Sequence, residues 1–384
     1  MHFIFEKAIK LLKQLTPAFI ITQIIQVVLS LPPMIAKPFA YILTAPTESQ
    51  REWIKYVDHG TWRGAWIGAC MNQCDGKYEL LQRIKDADLI IYKAHGGAFR
   101  VGHCTMYMDV FIYWIENLKR KYNINALILS IEYGLAPEHK YPSPMIECTE
   151  AYQYLLYTLK VPGSKIILSG DSAGATLCLG ALIRTYTPDL FNNIDTCRTD
   201  YSVELPAGLL LVSPLLSLNL HEWLWHFKSD LVTPALARTV VKEFLDIKSN
   251  KGRNTLPFLK VVNIKSGFSR FVPNNIMLIV GEQEVMRDDI LSLAKTVMRE
   301  EKRIRIQIHR ENFGHDWYFL REIVKSSQQH IIKKTDDDFI DFVAKALTKR
   351  NNTERVSTLQ PIVQGSHITS FKQENASVTI SAIA

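Results

Sequence analysis

From Asp88 onward, short apolar runs alternate with longer stretches patterned at helical spacing. Leu89-Ile90-Ile91-Tyr92 precedes a helical pattern from Met106 to Lys121, and the run from Ala126 to Ile131 precedes another from Pro144 to Leu159. Lys165-Ile166-Ile167-Leu168 then meets the Ala- and Leu-rich stretch from Ala173 to Ile183, and further runs follow at Gly208 to Val212, Asn275 to Val280 and Ile304 to His309. Runs that are apolar at every position, rather than at every second one, mark strands buried on both faces. Strands separated by helices mark a parallel sheet. The pattern predicts an α/β protein built on a mostly parallel, doubly wound sheet.

Other segments depart from the alternation. Leu215 to Phe271 carries Trp223, Trp225, Phe227, Phe244 and Phe258 among breakers such as Pro234 and Pro257. It reads as a helical cap insertion, placed to fold over the strand C-termini where open α/β sheets bind ligands. At the other end, Phe5, Ala8, Ile9, Leu12 and Leu15 recur at helical spacing with Lys7, Lys10 and Lys13 between them. Ala18 to Leu31 is mostly Ile, Val and Leu but is broken by Thr22, Gln23, Gln26 and Ser30, and it falls short of the roughly 20 apolar residues of a spanning helix. Residues 1–32 are therefore expected to form a membrane-association or cap segment. Pro38 to Cys74, with Trp53, Trp62 and Trp66, reads as turns and short edge strands. Past Arg350 the chain is polar and aperiodic, which sets the domain at residues 33–349 and leaves 350–384 as a flexible polar tail.

Composition narrows the class further. A chain of 384 residues with 47% hydrophobic content can bury the core of one large α/β domain with insertions. The net charge of +7 is spread along the sequence, which argues against a nucleic-acid partner. Six cysteines, at 70, 74, 104, 148, 178 and 197, are too scattered for a disulfide framework or a zinc site, and no metal or cofactor is expected. If the N-terminal segment spans a membrane, the lysines ahead of Ala18 favour a cytoplasmic N-terminus. The expected location is then the endoplasmic reticulum membrane with the main domain in the lumen, the alternative being cytoplasmic.

The chemistry concentrates where strands end. Ser169 to Ala175 reads S-G-D-S-A-G-A, with a strand pattern before it and a helix pattern after it. In G-x-S-x-G the central serine sits on a sharp turn, and Gly170 and Gly174 remove the Cβ atoms that would collide there. Ser172 is the candidate nucleophile, with the Ala173 N–H and the positive helix end aimed at a reacting carbonyl. A serine hydroxyl needs a histidine to take its proton and a carboxylate to steady the imidazolium. His315, after the last strand run, fits the order Ser, acid, His, whereas His309 lies within that run and His2, His59, His330 and His367 lie elsewhere. The loop after Val280 offers Glu282, Glu284, Asp288 and Asp289. Glu284, nearest the strand end, is preferred; Asp288 and Asp289 suit the start of a helix. His95-Gly96-Gly97-Ala98 follows the first strong strand, where the other oxyanion donors of such folds arise, and His95 is expected to brace that loop.

The H-G-G-A stretch, the G-D-S-A-G turn and Glu132-Tyr133-Gly134-Leu135-Ala136-Pro137-Glu138 together resemble the hormone-sensitive-lipase-like group of α/β hydrolases over roughly residues 60–345. The chain is also similar to the fungal steryl acetyl hydrolases, which share a hydrophobic N-terminus ahead of such a core. The resemblance implies an α/β-hydrolase fold with a helical cap. It implies Ser172 as nucleophile, His315 as base, and Gly96, Gly97, Ala98 and Ala173 as the oxyanion region. It places Glu132 and Tyr133, with His95 and Asp171, as structural residues near the site. Ala98 stands where the family often has a third glycine. Glu284 stands where the family usually has Asp, which leaves Asp288 as a rival acid. The expected function is a serine carboxylesterase acting on short-acyl esters of apolar, lipid-like or sterol-like alcohols. An arylformamidase-like amidase and a non-catalytic ligand receptor on the same fold are the alternatives.

Overall fold

A computed structural model describes residues 16–74, 76–191, 203–217, 230–245, 261 and 264–357. Eight strands form one sheet in the order β1-β2-β4-β3-β5-β6-β7-β8. They are β1 (Ile54–Asp58), β2 (Arg63–Ile67), β3 (Leu89–Ala94), β4 (Ala126–Glu132), β5 (Ile166–Asp171), β6 (Gly208–Val212), β7 (Asn275–Gly281) and β8 (Arg305–Glu311). β2 runs antiparallel to both β1 and β4, and every other pairing is parallel. The expected parallel, doubly wound core is present, and the Trp-rich entry segment supplies its antiparallel edge.

Both faces of the sheet are covered, which explains why the strand runs are continuously apolar. Ile90, Tyr92 and Ala94 of β3 enter one core, and Leu89 and Ile91 enter the other. The first core is closed by α4 (Lys77–Asp86), α6 (Ser143–Gln153), α7 (Ser172–Tyr186) and α9 (Arg287–Glu300); the second by α5 (Met108–Tyr122) and α10 (Gln329–Ser357). The order switches between β3 and β5, where the chain moves from one half of the sheet to the other. Sites in open α/β folds lie at the strand C-termini beside such a switch.

Two strands differ from the sequence pattern. The apolar run of β3 ends at Tyr92, yet the strand continues through Lys93 to Ala94, because the buried ammonium is paired with Asp171. β8 is an edge strand with alternating exposure, so only one of its faces enters the core.

Ala18–Ser30 is a helix (α1), as expected, and Leu31 and Pro32 follow it. A second helix, α2 (Pro33–Thr44), then forms although Pro38 lies inside it, an interior position that reads in sequence as a break. A short α3 (Glu48–Arg51) leads into β1. No helix among the described residues is long and apolar enough to cross a membrane. The expected basic amphipathic stretch before Thr16 lies outside the described residues. So does most of the cap insertion, where α8 (Pro234–Glu243) is helical as predicted. α10 runs to Ser357, past the expected domain end at Arg350, and residues 358–384 are not described.

Candidate active site

The elbow is built as the glycine spacing requires. Ser172 is the first residue of α7 and has φ 48°, a left-handed conformation that costs an L-residue about 1–2 kcal/mol and is tolerated where function fixes it. A Cβ on Gly174 would lie 2.3 Å from the Ala94 carbonyl oxygen and 2.4 Å from that of His95, so only glycine lets α7 pack on the end of β3. That contact brings the His95–Ala98 loop against the elbow.

In that loop Gly97 has φ 109°, and a side chain there would strike the Val101 carbonyl. Ala98 follows with φ 57°, also left-handed, a conformation that glycine adopts more readily than an L-residue. The Gly97 and Ala98 amides meet no acceptor among the described residues. His95 Nδ1 donates to the Gly96 carbonyl at 2.7 Å, and its ring stacks on Tyr133 at 4.3 Å between centroids. The Tyr133 hydroxyl donates to the His95 carbonyl at 2.7 Å, and a Glu132 carboxylate oxygen accepts from the Cys104 amide at 2.6 Å. Each of these residues contacts loop backbone.

Three distant segments meet at the rim. Ser172 Oγ lies 2.8 Å from His315 Nε2, and His315 Nδ1 faces Glu284, whose Oε2 is 3.4 Å away. That distance is an ionic contact rather than a tight hydrogen bond, and such contacts commonly shorten once substrate is bound. Glu284 is fully buried. Asp288 points to solvent, 67% exposed, and pairs with Arg287 at 2.9 Å. Asp289 accepts from the Ser217 hydroxyl and, like Asp288, sits in the first turn of α9, where acidic side chains favour the positive helix end. The chain after His315 forms turns, and buried Trp317, Tyr318 and Phe319 pin it to the core.

Electrostatics in the site are set by burial against opposite charge. Burial alone would lower the His315 pKa, but the Glu284 and Asp230 carboxylates outweigh it and hold the imidazole above its ordinary value. Burial raises the Glu284 carboxyl, while His315 and the Ser213 hydroxyl pull it back. A neutral imidazole with its proton on Nδ1, toward Glu284, leaves Nε2 as an acceptor for the Ser172 hydroxyl.

Beneath the elbow lies a charged cluster that strand-end reasoning missed. Buried Lys93 on β3 is paired with Asp171, the residue before Ser172, and Asp171 Oδ2 accepts from the Tyr107 hydroxyl at 2.6 Å. The Lys93 ammonium also sits 4.1 Å from the centroid of the Phe319 ring. Asp316, next to His315, lies against Asp171. Burial, reinforced by that neighbouring carboxylate, raises its pKa well above the ordinary carboxylate value. A lysine at the end of an apolar strand was the one available signal.

Comparison with known proteins finds relatives that share this fold. An esterase from Acinetobacter venetianus is 33% identical over 138 residues, covering 35% of this chain and 38% of that protein. A Schizosaccharomyces pombe protein provisionally named a steryl acetyl hydrolase is 27% identical over 219 residues, covering 54% of this chain and 53% of that one. The matched stretches thus span well under two thirds of these relatives' own lengths. Among solved structures, a hormone-sensitive lipase from a metagenome library superimposes with a TM-score of 0.62 at 17% identity, covering 87% of this chain and 99% of that one, a likeness of fold. The sequence profile described as "alpha/beta hydrolase fold" matches residues 91–319, and the chain belongs to that family.

Proposed function

We propose that this chain is a serine carboxylesterase that hydrolyses short-acyl esters of apolar alcohols through an acyl-enzyme. The observation that carries this reading is the 2.8 Å approach of Ser172 Oγ to His315 Nε2, with Glu284 on the far side of the ring. Ser172 attacks the ester carbonyl as His315 accepts its proton, and Glu284 stabilises the imidazolium. The Gly97, Ala98 and Ala173 amides, with Gly96 in the same loop, receive the tetrahedral oxyanion; one such donor is worth about 3 kcal/mol of barrier. His315 then returns the proton to the leaving alcohol, and water repeats the sequence on the acyl-enzyme. The chemistry needs no metal or cofactor.

Substrate class rests on the surroundings of the oxyanion loop. Phe99, directly after the oxyanion loop, stacks on Phe244 of the cap insertion at 3.9 Å, and Tyr141 packs on the same ring. Phe99 and Phe244 are buried, so the region beside the oxyanion loop is apolar, which suits an apolar alcohol. The names of relatives, an esterase and an acetyl-hydrolase from Streptomyces hygroscopicus, support the same class. Phe19 and Val27 on α1 and Met34 on α2 are exposed, 65%, 59% and 89%, which supports association of this hairpin with a lipid surface.

Labelling with a fluorophosphonate probe tests the assignment. The folded protein should react once, at Ser172, and hydrolyse p-nitrophenyl acetate and an acetylated sterol faster than long-acyl analogues. Ser172→Ala should lose about 10⁴-fold or more in kcat. A folded protein that resists the probe would make the chain a ligand-binding relative instead.

A further inference from the structure

Asp230 is fully buried, and no sequence motif marks it. It belongs to none of the strands whose ends carry the triad, yet its carboxylate joins two of them. Oδ1 accepts from the His315 amide at 2.8 Å, and Oδ2 accepts from the Val285 amide, the residue after Glu284, also at 2.8 Å. Oδ1 also accepts from the Leu231 amide at 2.7 Å, so no basic side chain is needed to hold the charge. The same two loops are also joined further from the triad, by the Gln283 amide to the Phe313 carbonyl at 3.0 Å and by the Gln283 side chain to Asn312 Oδ1 at 2.9 Å, two and three residues short of His315. One carboxylate therefore clamps the backbone of the proposed base to that of the proposed acid.

The same residue reaches the N-terminus. Gln26 of α1 donates from Nε2 to the Asp230 carbonyl at 2.8 Å. A turn later, the carbonyls of Leu29 and Leu31 accept from the guanidinium of Arg100, which closes the oxyanion loop by donating its amide to the Gly97 carbonyl at 3.0 Å. α1 thus touches both halves of the site, the acid and base loops through Asp230 and the oxyanion loop through Arg100.

We propose that Asp230 is a positioning residue for the triad, and that the Gln26 bond to its carbonyl makes α1 a part of the frame that holds His315 and Glu284 in register. The proposal rests on the serine-esterase reading given above. Backbone placement is the reason to expect a kinetic effect. A carboxylate accepting two amides from separate loops fixes their separation, and a displacement of about 1 Å in a reacting group can cost about 100-fold in rate. The charge has a second consequence. The groups facing the His315 ring are Glu284 from the loop after β7, Asp230 from the segment before α8, and Asp171 at the end of β5, with Asp316 next in the chain. Removing the Asp230 charge takes away one of the carboxylates that favour the imidazolium.

The test compares wild type with Asp230→Asn and Gln26→Ala, using fluorophosphonate titration to count competent sites. An asparagine at 230 can accept only one of the two amides and sets its own NH₂ against the other. Asp230→Asn should lower kcat per titrated site about 10- to 100-fold with KM within about twofold, and shift the acid limb of kcat/KM to lower pH. A residue that only stabilises the fold would reduce the number of titratable sites or the melting temperature and leave that limb in place. Gln26→Ala keeps the carboxylate, so it should lower kcat about fivefold with the limb unmoved, and the double variant should be no worse than Asp230→Asn alone. Wild-type kcat per site with an unshifted limb in Asp230→Asn overturns the positioning role, and additive losses overturn the link through α1. Because Gln26→Ala removes one part-buried bond, wild-type kcat in that variant refutes the link even if Asp230→Asn does not fold. A wild type that is unlabelled at Ser172 brings down the triad reading itself, an outcome distinct from all of these.

Discussion

Replacing Lys93 with Met isolates the charge under the elbow. Lys93 and Asp171 are both fully buried and paired, and they stand on adjacent strands in the register that sets Lys93 opposite Ser169 and Ala94 opposite Gly170. Lys93→Met keeps most of the volume but leaves the Asp171 carboxylate in the core with the Tyr107 hydroxyl and without its ammonium partner. Breaking one side of a buried pair typically costs about 3–5 kcal/mol, and loss of the ammonium over the Phe319 ring adds to that end of the range. At roughly 2–4 °C per kcal/mol for a domain of this order, the melting temperature should fall by about 10 °C. The double variant Lys93→Met/Asp171→Asn removes both charges and should recover most of the loss, because a neutral replacement of a buried pair is often close to neutral in stability. Thermal melts of the two single variants and the double close the cycle, with a coupling of about 2 kcal/mol or more expected. A cost below about 1 kcal/mol for Lys93→Met, or simple additivity in the double, would show that the pair does not tie the oxyanion strand to the elbow strand.

Glu284→Gln should reduce kcat by about 10²–10⁴-fold, as when the carboxylate of such a triad loses its charge, while Asp288→Asn should stay near wild type because Asp288 faces solvent beside Arg287; steady-state kinetics on p-nitrophenyl acetate decide between the two carboxylates. The pH profile of kcat/KM should show its acid limb above the ordinary imidazole value. His315 must be neutral to accept a proton, and burial notwithstanding, Glu284 and Asp230 raise its pKa, so activity falls as pH drops through that raised value. For stability the sign is opposite. A raised folded-state pKa contributes stability that is complete below the ordinary imidazole value and is lost as pH rises through the folded one.

What could be read from the chain was whatever depends on local order. Gly170, Ser172 and Gly174 are fixed by the crowding of one turn, and that crowding is visible as spacing. His315 and Glu284 could be located because both follow apolar runs, and strand C-termini are where such a fold gathers its chemistry. α2 escaped because Pro38 suggests a break and its exposed apolar face gives no helical stripe against a core. Lys93 misled in the other direction, since a charge at the end of a run normally marks a strand end, and only Asp171, 78 residues away, reverses that inference. Asp230 left no signal at all. Its partners are the amides of His315 and Val285, and a backbone amide carries no side-chain identity through which a sequence could announce the contact. Chemistry that uses side chains at strand ends is legible in this sequence, whereas positioning that works through main-chain donors depends on the fold. The catalytic rate should therefore depend on residues such as Asp230 and Gln26 that no motif includes, and the kinetic cycle between those two is where that dependence can be measured.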